Sequence, residues 1–306
     1  MSLRIKKTMG IRSNSRYRDF NKKYIFVFEG EKTEEYYFEN LSNYKSELGI
    51  NDLIHIEILE KLDETRSNQL SVVKSLDNYI REVVEMKQCN ISIKEKISEL
   101  VISNLGNYND IKNKTLALVE ECFIDVEYGE NIDKFINFIE DLIIDEDIDI
   151  NILIQDIKNL KQSLDYDDEI DEVCIIIDRD KASFKKEQYE EVVAICEENN
   201  YNLGISNPCF EFWLLLHLSD CKEYNAEDIR INRKISKSRN SKRFLEKELA
   251  TKLGGSYNKS NLKFEQFKDH INEAIKNQKL HEMDVVKLEN HIGTRVGLII
   301  GKMIIE

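Results

Sequence analysis

A chain of 306 residues exceeds one ordinary domain, and 41% hydrophobic against 33% charged residues is a globular balance that can fill a substantial core plus an accessory region. No stretch approaches the ~18 to 20 apolar residues of a membrane span, no apolar signal segment opens the chain, and six scattered cysteines form no CxxC pair. These features argue against a membrane protein, a zinc ribbon and a disulfide scaffold, and predict a cytoplasmic protein. The net charge of -14 is local, because residues 120–169 hold 17 acids against 3 bases and leave 41 of each elsewhere.

Residues 1–23 form a basic arm in which Arg4, Lys6, Lys7, Arg12, Arg16, Arg18, Lys22 and Lys23 stand against Asp19. Such a run suits a polyanion held by its phosphates, or else a solvated surface. Tyr24 to Phe28 is short, continuous and apolar, which predicts a strand buried on both faces, and it ends in Glu29-Gly30-Glu31. Thr33 can cap the next helix, with Glu34 and Glu35 complementing its dipole and Tyr37, Phe38, Leu41, Tyr44 and Leu48 as its core stripe. Leu53 to Leu59 alternates as another strand. The pattern over 68–164 is helical, with breaks near Asn104–Asp110, Tyr128-Gly129 and Asp145–Asp149. A crossover between parallel strands needs only one helix, so this stretch predicts an inserted helical subdomain whose acidic second half is a partner surface.

The α/β pattern resumes with Val173 to Ile177, a buried strand ending in Asp178-Arg179-Asp180. Lys185 to Asn199 is an amphipathic helix with Tyr189, Val192, Val193 and Cys196 inward, and Leu203 to Ser206 is a brief strand. Asn207-Pro208 then starts an almost wholly apolar helix, with Asn as N-cap and proline at the first helical position. Glu211, among Phe210, Phe212 and Trp213, needs a metal, an arginine or free backbone donors, or is held by the helix dipole alone. A second basic cluster, Arg230, Arg233, Lys234, Lys237, Arg239, Lys242 and Arg243, contains no acid. Residues 221–306 read as a helical C-terminal region with a link at Gly254-Gly255-Ser256. Its last segment, Ile292 to Ile305, carries Gly293, Gly297 and Gly301, a spacing that suits close packing against the sheet or against a neighbour in a homo-oligomer.

In open α/β sheets, sites form at the carboxyl ends of the strands. Here two such ends deliver at least three acids, the arrangement required by a Mg²⁺- or Mn²⁺-dependent centre that transfers or cleaves phosphodiesters. Hard oxygen donors without a His or Cys cluster favour these ions over zinc. Asp145, Asp147 and Asp149 start like an EF-hand loop, but Ile150 and Asp156 occupy the glycine and glutamate positions. The segment Gly297 to Met303 lacks P-loop spacing, and His217 reads as a core histidine.

The segments Phe26-Val27-Phe28-Glu29-Gly30-Glu31-Lys32-Thr33-Glu34 with Tyr37-Phe38, Ile177-Asp178-Arg179-Asp180, and Ser206-Asn207-Pro208-Cys209-Phe210-Glu211-Phe212-Trp213-Leu214-Leu215-Leu216-His217 together resemble the RloB-like proteins, which include bacterial abortive-infection proteins. The resemblance implies a Toprim-like, Rossmann-like α/β fold: a mostly parallel sheet flanked by helices, with a catalytic core at 24–67 and 165–220. It implies that Asp178 and Asp180 bind Mg²⁺ (or Mn²⁺), that Glu29 is the general base or a shared ligand, and that Glu211 joins the catalytic set. Lys32 and Arg179 would neutralise phosphate charge, and Arg12, Arg16 and Arg18 would bind substrate. The implied activity is a nuclease of an antiphage system acting on DNA, tRNA or another RNA, with a separately encoded ABC-type ATPase as partner. The rival expectation is a non-catalytic Toprim scaffold that senses, binds nucleic acid or nucleotide and recruits partners.

Overall fold

The computed structural model describes residues 22–30, 32–59, 68–89, 93–123, 130–143, 150–164, 166–181, 183–238 and 241–305. In chain order these form β1 (Lys22–Phe28), α1 (Thr33–Asn43), α2 (Lys45–Leu48), β2 (Ile54–Ile58), α3 (Gln69–Cys89), α4 (Ile93–Asn104), α5 (Asn109–Cys122), α6 (Glu130–Ile143) and α7 (Asn151–Leu164). There follow β3 (Glu172–Asp178), α8 (Lys186–Glu198), β4 (Asn202–Asn207), α9 (Phe210–Leu216), α10 (Ala226–Ile231), α11 (Phe244–Lys252), α12 (Ile271–Gln278), α13 (Val285–Leu288), β5 (Gly293–Thr294) and α14 (Val296–Ile305). No helix among the described residues is long and apolar enough to cross a membrane.

The chain divides into two compact units, Met1–Asp77 with Glu169–Glu306, and Asn78–Asp168. The first is a mixed α/β layer structure around a five-stranded sheet ordered β2-β1-β3-β4-β5. Its first four strands are parallel, and β5 pairs antiparallel with β4. Every residue of β1 from Lys23 to Phe28 is buried, as are Val173 to Ile177 of β3, which explains why both read as unbroken apolar runs. The sheet, α1 and α9 share one hydrophobic core with Leu245, Leu249, Phe264, Phe267, Ile271 and Val296, so residues 221–306 belong to this unit. The second unit has its own core, built from Ile97, Val101, Val119, Ile132, Phe135, Ile139, Leu153 and Ile157 of α4 to α7. Its acidic loop Asp145–Asp149 lies outside the described residues.

Several local expectations change. Thr33 is the first residue of α1, whose N-cap is Lys32, and its hydroxyl donates to the Lys259 carbonyl at 3.0 Å. Pro208 follows a cis peptide, and Cys209, not Asn207, is the N-cap of α9. Asn207 ends β4 and donates its side-chain amide to Leu288 O at 2.7 Å. The terminal segment is an edge strand before it is a helix. A Cβ on Gly293 would meet the Glu282 carbonyl, and one on Gly297 would meet Gln278 and Trp213, whereas Gly301 faces open space. Beside β5, Arg295 donates its backbone N–H to Ile205 O at 2.9 Å, Nε to Leu203 O at 3.1 Å and Nη1 to Met283 O at 2.7 Å.

Candidate functional site

The sheet order fixes where a site can form. From β1 the chain crosses to β2 on one side, whereas β3 lies on the other side of β1 and leads onward to β4, so the crossovers diverge between β1 and β3. That switch point opens a crevice at the carboxyl ends of both strands. Register places Phe28 opposite Ile176, and the Glu29 N–H donates to Ile176 O at 3.2 Å, so Glu29 stands one residue and Asp178 two residues beyond the last pair. The Asp178 N–H donates to Glu29 Oε2 at 3.2 Å. Asp180, two residues on, is exposed and lies close enough to Glu29 to repel its charge.

Two half-buried acids thereby carry unfavourable charge. Burial raises Glu29 to a pKa of about 7; the Asp178 N–H opposes this, while Glu34 and Asp180 add to it. Asp178 is pushed well above the carboxylate range, first by burial and then by Glu34, Glu211 and Glu29, with Lys259 opposing. Its Oδ1 accepts the Phe210 N–H at 2.8 Å and so satisfies the first turn of α9 from a different strand. This non-local cap explains why α9 needs no capping side chain of its own.

Glu211 resolves differently. It is 3% exposed, and its Oε1 lies 2.6 Å from Lys259 Nζ and accepts from Tyr257 OH at 3.4 Å. Burial alone would raise its pKa, but Lys259 and the Cys209 thiol draw it below the ordinary value. Lys259 in turn is half-exposed; partial desolvation lowers its pKa but Glu211 raises it on balance, and it bonds Glu246 at 3.2 Å. The segment carrying Tyr257 and Lys259 follows Gly254 and Gly255, whose φ angles of 75° and 150° favour glycine. Of the three partners the sequence offered for Glu211, the structure supplies none first; it supplies a lysine 48 residues downstream.

Glu29, Asp178, Asp180 and Glu211 therefore gather at one sheet edge, joined by Glu34, Gln69 and Lys259, which the sequence had not assigned. Gln69 Nε2 donates to Asp178 O at 3.3 Å. Lys32 is exposed beside this edge, at the start of α1. Arg179 is not presented to the crevice, because alternation along β3 sends it away from Asp178. Its guanidinium is 3% exposed, lies over Phe184 and Tyr189, donates to Phe184 O at 2.6 Å and faces Glu289 at 3.6 Å. Arg12, Arg16, Arg18 and Glu31 lie outside the described residues. Two members of the basic arm are committed to the fold, since Lys22 pairs with Glu172 at 3.1 Å and buried Lys23 with Glu57 at 2.6 Å. His217 is a core histidine: Nδ1 donates to Trp213 O, Nε2 accepts from Tyr37 OH, and burial lowers its pKa to about 3.

Among the described residues no three His, Cys, Asp or Glu side chains are disposed as a ready-made metal site. The donor set of Glu29, Asp178 and Asp180 nevertheless suits a hard divalent cation: it consists of carboxylates, and an ion there would offset both the desolvation that raises Glu29 and Asp178 and the repulsion among neighbouring acids that adds to it.

No curated protein and no solved structure matches the chain. A model of the RloB-like protein family matches residues 24–303, which include β1, β3, α9 and the Lys259 segment. The strand-end acids, the α9 glutamate and the late Gly293-Thr294-Arg295 edge all fall within one family pattern, and the chain belongs to the RloB-like family.

Proposed function

We propose that the crevice between β1 and β3 is a Toprim-like, metal-dependent phosphodiesterase site, and that the protein is a nuclease acting on DNA or RNA, tRNA included. The carrying observation is the contact of Glu29 with Asp178 across the switch point, with Asp180 two residues beyond. Glu29, Asp178 and Asp180 would hold Mg²⁺ or Mn²⁺, which supplies charge neutralisation at the scissile phosphate and a more acidic water. In its other expected role, outside the ligand set, Glu29 would be the general base, which a pKa raised to about 7 by burial in the ion-free site suits. Lys259 adds a fixed cation beside Asp178, and exposed Lys32 can reach a phosphate at the rim. The family resemblance supports an antiphage abortive-infection role, with an ABC-type ATPase holding or triggering the nuclease.

The pairing of Glu211 with Lys259 takes one acid out of the expected catalytic set and favours a second reading, a non-catalytic Toprim scaffold that binds nucleic acid or nucleotide and recruits partners. One experiment separates the two. Plasmid, single-stranded DNA and total tRNA are incubated with the parent or D178N/D180N in Mg²⁺, Mn²⁺ or EDTA. Asparagine keeps an oxygen for the Phe210 N–H, so the fold survives the change. Metal-dependent cleavage by the parent alone is expected; equal cleavage by the variant overturns the site, and calorimetry showing no Mn²⁺ binding by the parent overturns the metal.

A further inference from the structure

The second basic cluster takes a definite shape. After α10, Asn232 adopts a left-handed conformation (φ 43°) and turns the chain into a short antiparallel ribbon. Lys234 bridges Arg243, Ile235 N–H donates to Lys242 O at 3.0 Å, and Phe244 N–H donates to Arg233 O at 3.0 Å. Between Arg230 and Arg243 there are seven bases and no acid. Arg230 is already held by Glu227 at 2.6 Å. Arg233, Lys234, Lys237, Lys242 and Arg243 are exposed, and Arg239 lies outside the described residues. Lys234 and Arg243 lie opposite each other across the ribbon, and Arg243 Nη1 donates to Asn232 O at 3.3 Å.

Both legs of the ribbon are rooted in the crevice. The incoming leg starts at buried Asn232, whose Nδ2 donates to Cys209 Sγ at 3.4 Å and whose Oδ1 accepts the Leu245 N–H at 3.0 Å. Cys209 directly precedes Phe210, whose N–H bonds Asp178. The outgoing leg runs into α11, where Glu246 holds Lys259 at 3.2 Å and Lys259 holds Glu211. The ribbon is thus tied through Cys209 to the element whose Phe210 N–H bonds Asp178, and through Glu246 to Lys259 beside the crevice. Toward the tip the Ser236 N–H donates to Ser241 Oγ at 2.8 Å and the Ser238 N–H to Ser236 Oγ at 3.4 Å, so the backbone there is held by the ribbon's own serines.

We propose that the described legs of the ribbon, 233–238 and 241–243, with Arg233, Lys237 and Lys242 exposed, form a phosphate-binding rail that holds the backbone of a nucleic-acid strand beside the β1/β3 crevice. The inference rests on reading that crevice as a phosphodiesterase site, but it concerns binding and not cleavage. Phosphate contacts of this kind position a strand without reading its bases. The recognised chemistry is therefore the phosphodiester backbone, in RNA or DNA.

The test is fluorescence anisotropy of labelled single-stranded RNA and DNA of one mixed sequence, in EDTA and across a potassium chloride series. The full chain is compared with R233Q/K237Q/K242Q, with the charge-preserving R233K/K237R/K242R, and with K276Q/K279Q/K287Q outside the ribbon. Expected is a loss of about tenfold or more in affinity for the first variant, and a salt slope lower by about 2, at about 0.7 per phosphate-contacting base on a single strand. The charge-preserving variant, which tests for a folding defect, and the outside variant should bind like the parent. An unchanged slope in the first variant, an equal loss in the outside variant, or no binding by the parent overturns the rail. Because EDTA removes cleavage, a parent that binds through the ribbon yet never cuts would sink the nuclease reading alone.

Discussion

The two sides of the acidic crevice solve one problem in opposite ways. At the strand ends, Glu29 and Asp178 are half-buried among further acids and both are driven toward the protonated form. At the start of α9, Glu211 is more deeply buried, yet its pKa falls below the ordinary value. Burial penalises all three, so the difference is the Lys259 ammonium 2.6 Å from Glu211. The first side leaves its acids to one another, whereas the second has a cation of its own. A permanent cation on one side limits how many mobile ions the crevice needs, which is why the proposed ligand set stops at Glu29, Asp178 and Asp180.

The largest break in this contrast comes from K259M. It leaves a buried carboxylate without its partner, at a cost of about 3 kcal/mol. Urea unfolding should show that loss, with much of it recovered in E211Q/K259M; a cost under about 1 kcal/mol in K259M would mean that Lys259 is not the controlling charge.

A smaller effect tests the other side. The folded protein keeps the Glu29 proton up to about pH 7, whereas the unfolded chain loses it near 4.5. The folded state then binds more protons between those values, so this group's contribution to stability is fullest below about pH 4.5 and declines as pH rises to about 7. A displacement from 4.5 to about 7 corresponds to about 3 kcal/mol, which the partial exposure of Glu29 reduces to about 2 kcal/mol. The metal-free parent should therefore lose stability relative to E29Q across that window in paired thermal melts, and Mg²⁺ should restore more at pH 7.5 than at pH 5. Parallel melting curves at every pH would remove the basis for calling Glu29 raised.

The smallest change sharpens the comparison. T33V deletes the hydroxyl that holds the Lys259 carbonyl at 3.0 Å, and should cost about 1 kcal/mol by urea unfolding without removing the ammonium. A cost as large as that of K259M would show that the lysine acts through backbone packing and not through charge.

What could be read in the sequence was local. Tyr24–Phe28 and Val173–Ile177 announced buried strands because both faces of each are covered, and the acids at their ends followed from where parallel sheets open. The inward residues of α8 were legible from spacing, and Tyr189, Val192, Val193 and Cys196 are all buried. What escaped was the partner that comes from afar. No pattern near Glu211 points to Lys259, and the α9 cap is supplied by Asp178 from another strand, so Asn207-Pro208 looked like the natural start. Arg179 was different, because strand alternation already separates it from Asp178; its charge, more than its register, had suggested a phosphate.

Arg295 has one further consequence. β5 is only two residues long, yet Arg295 extends its cover along β4 by occupying the Ile205 carbonyl with its backbone and the Leu203 carbonyl with its guanidinium. Those carbonyls are what an incoming strand from another copy would use to lengthen the sheet. One side chain thus closes that flank against runaway polymerisation, a protection that a longer strand or a covering loop provides elsewhere, and it does so with a group that cannot lose its charge at any physiological pH.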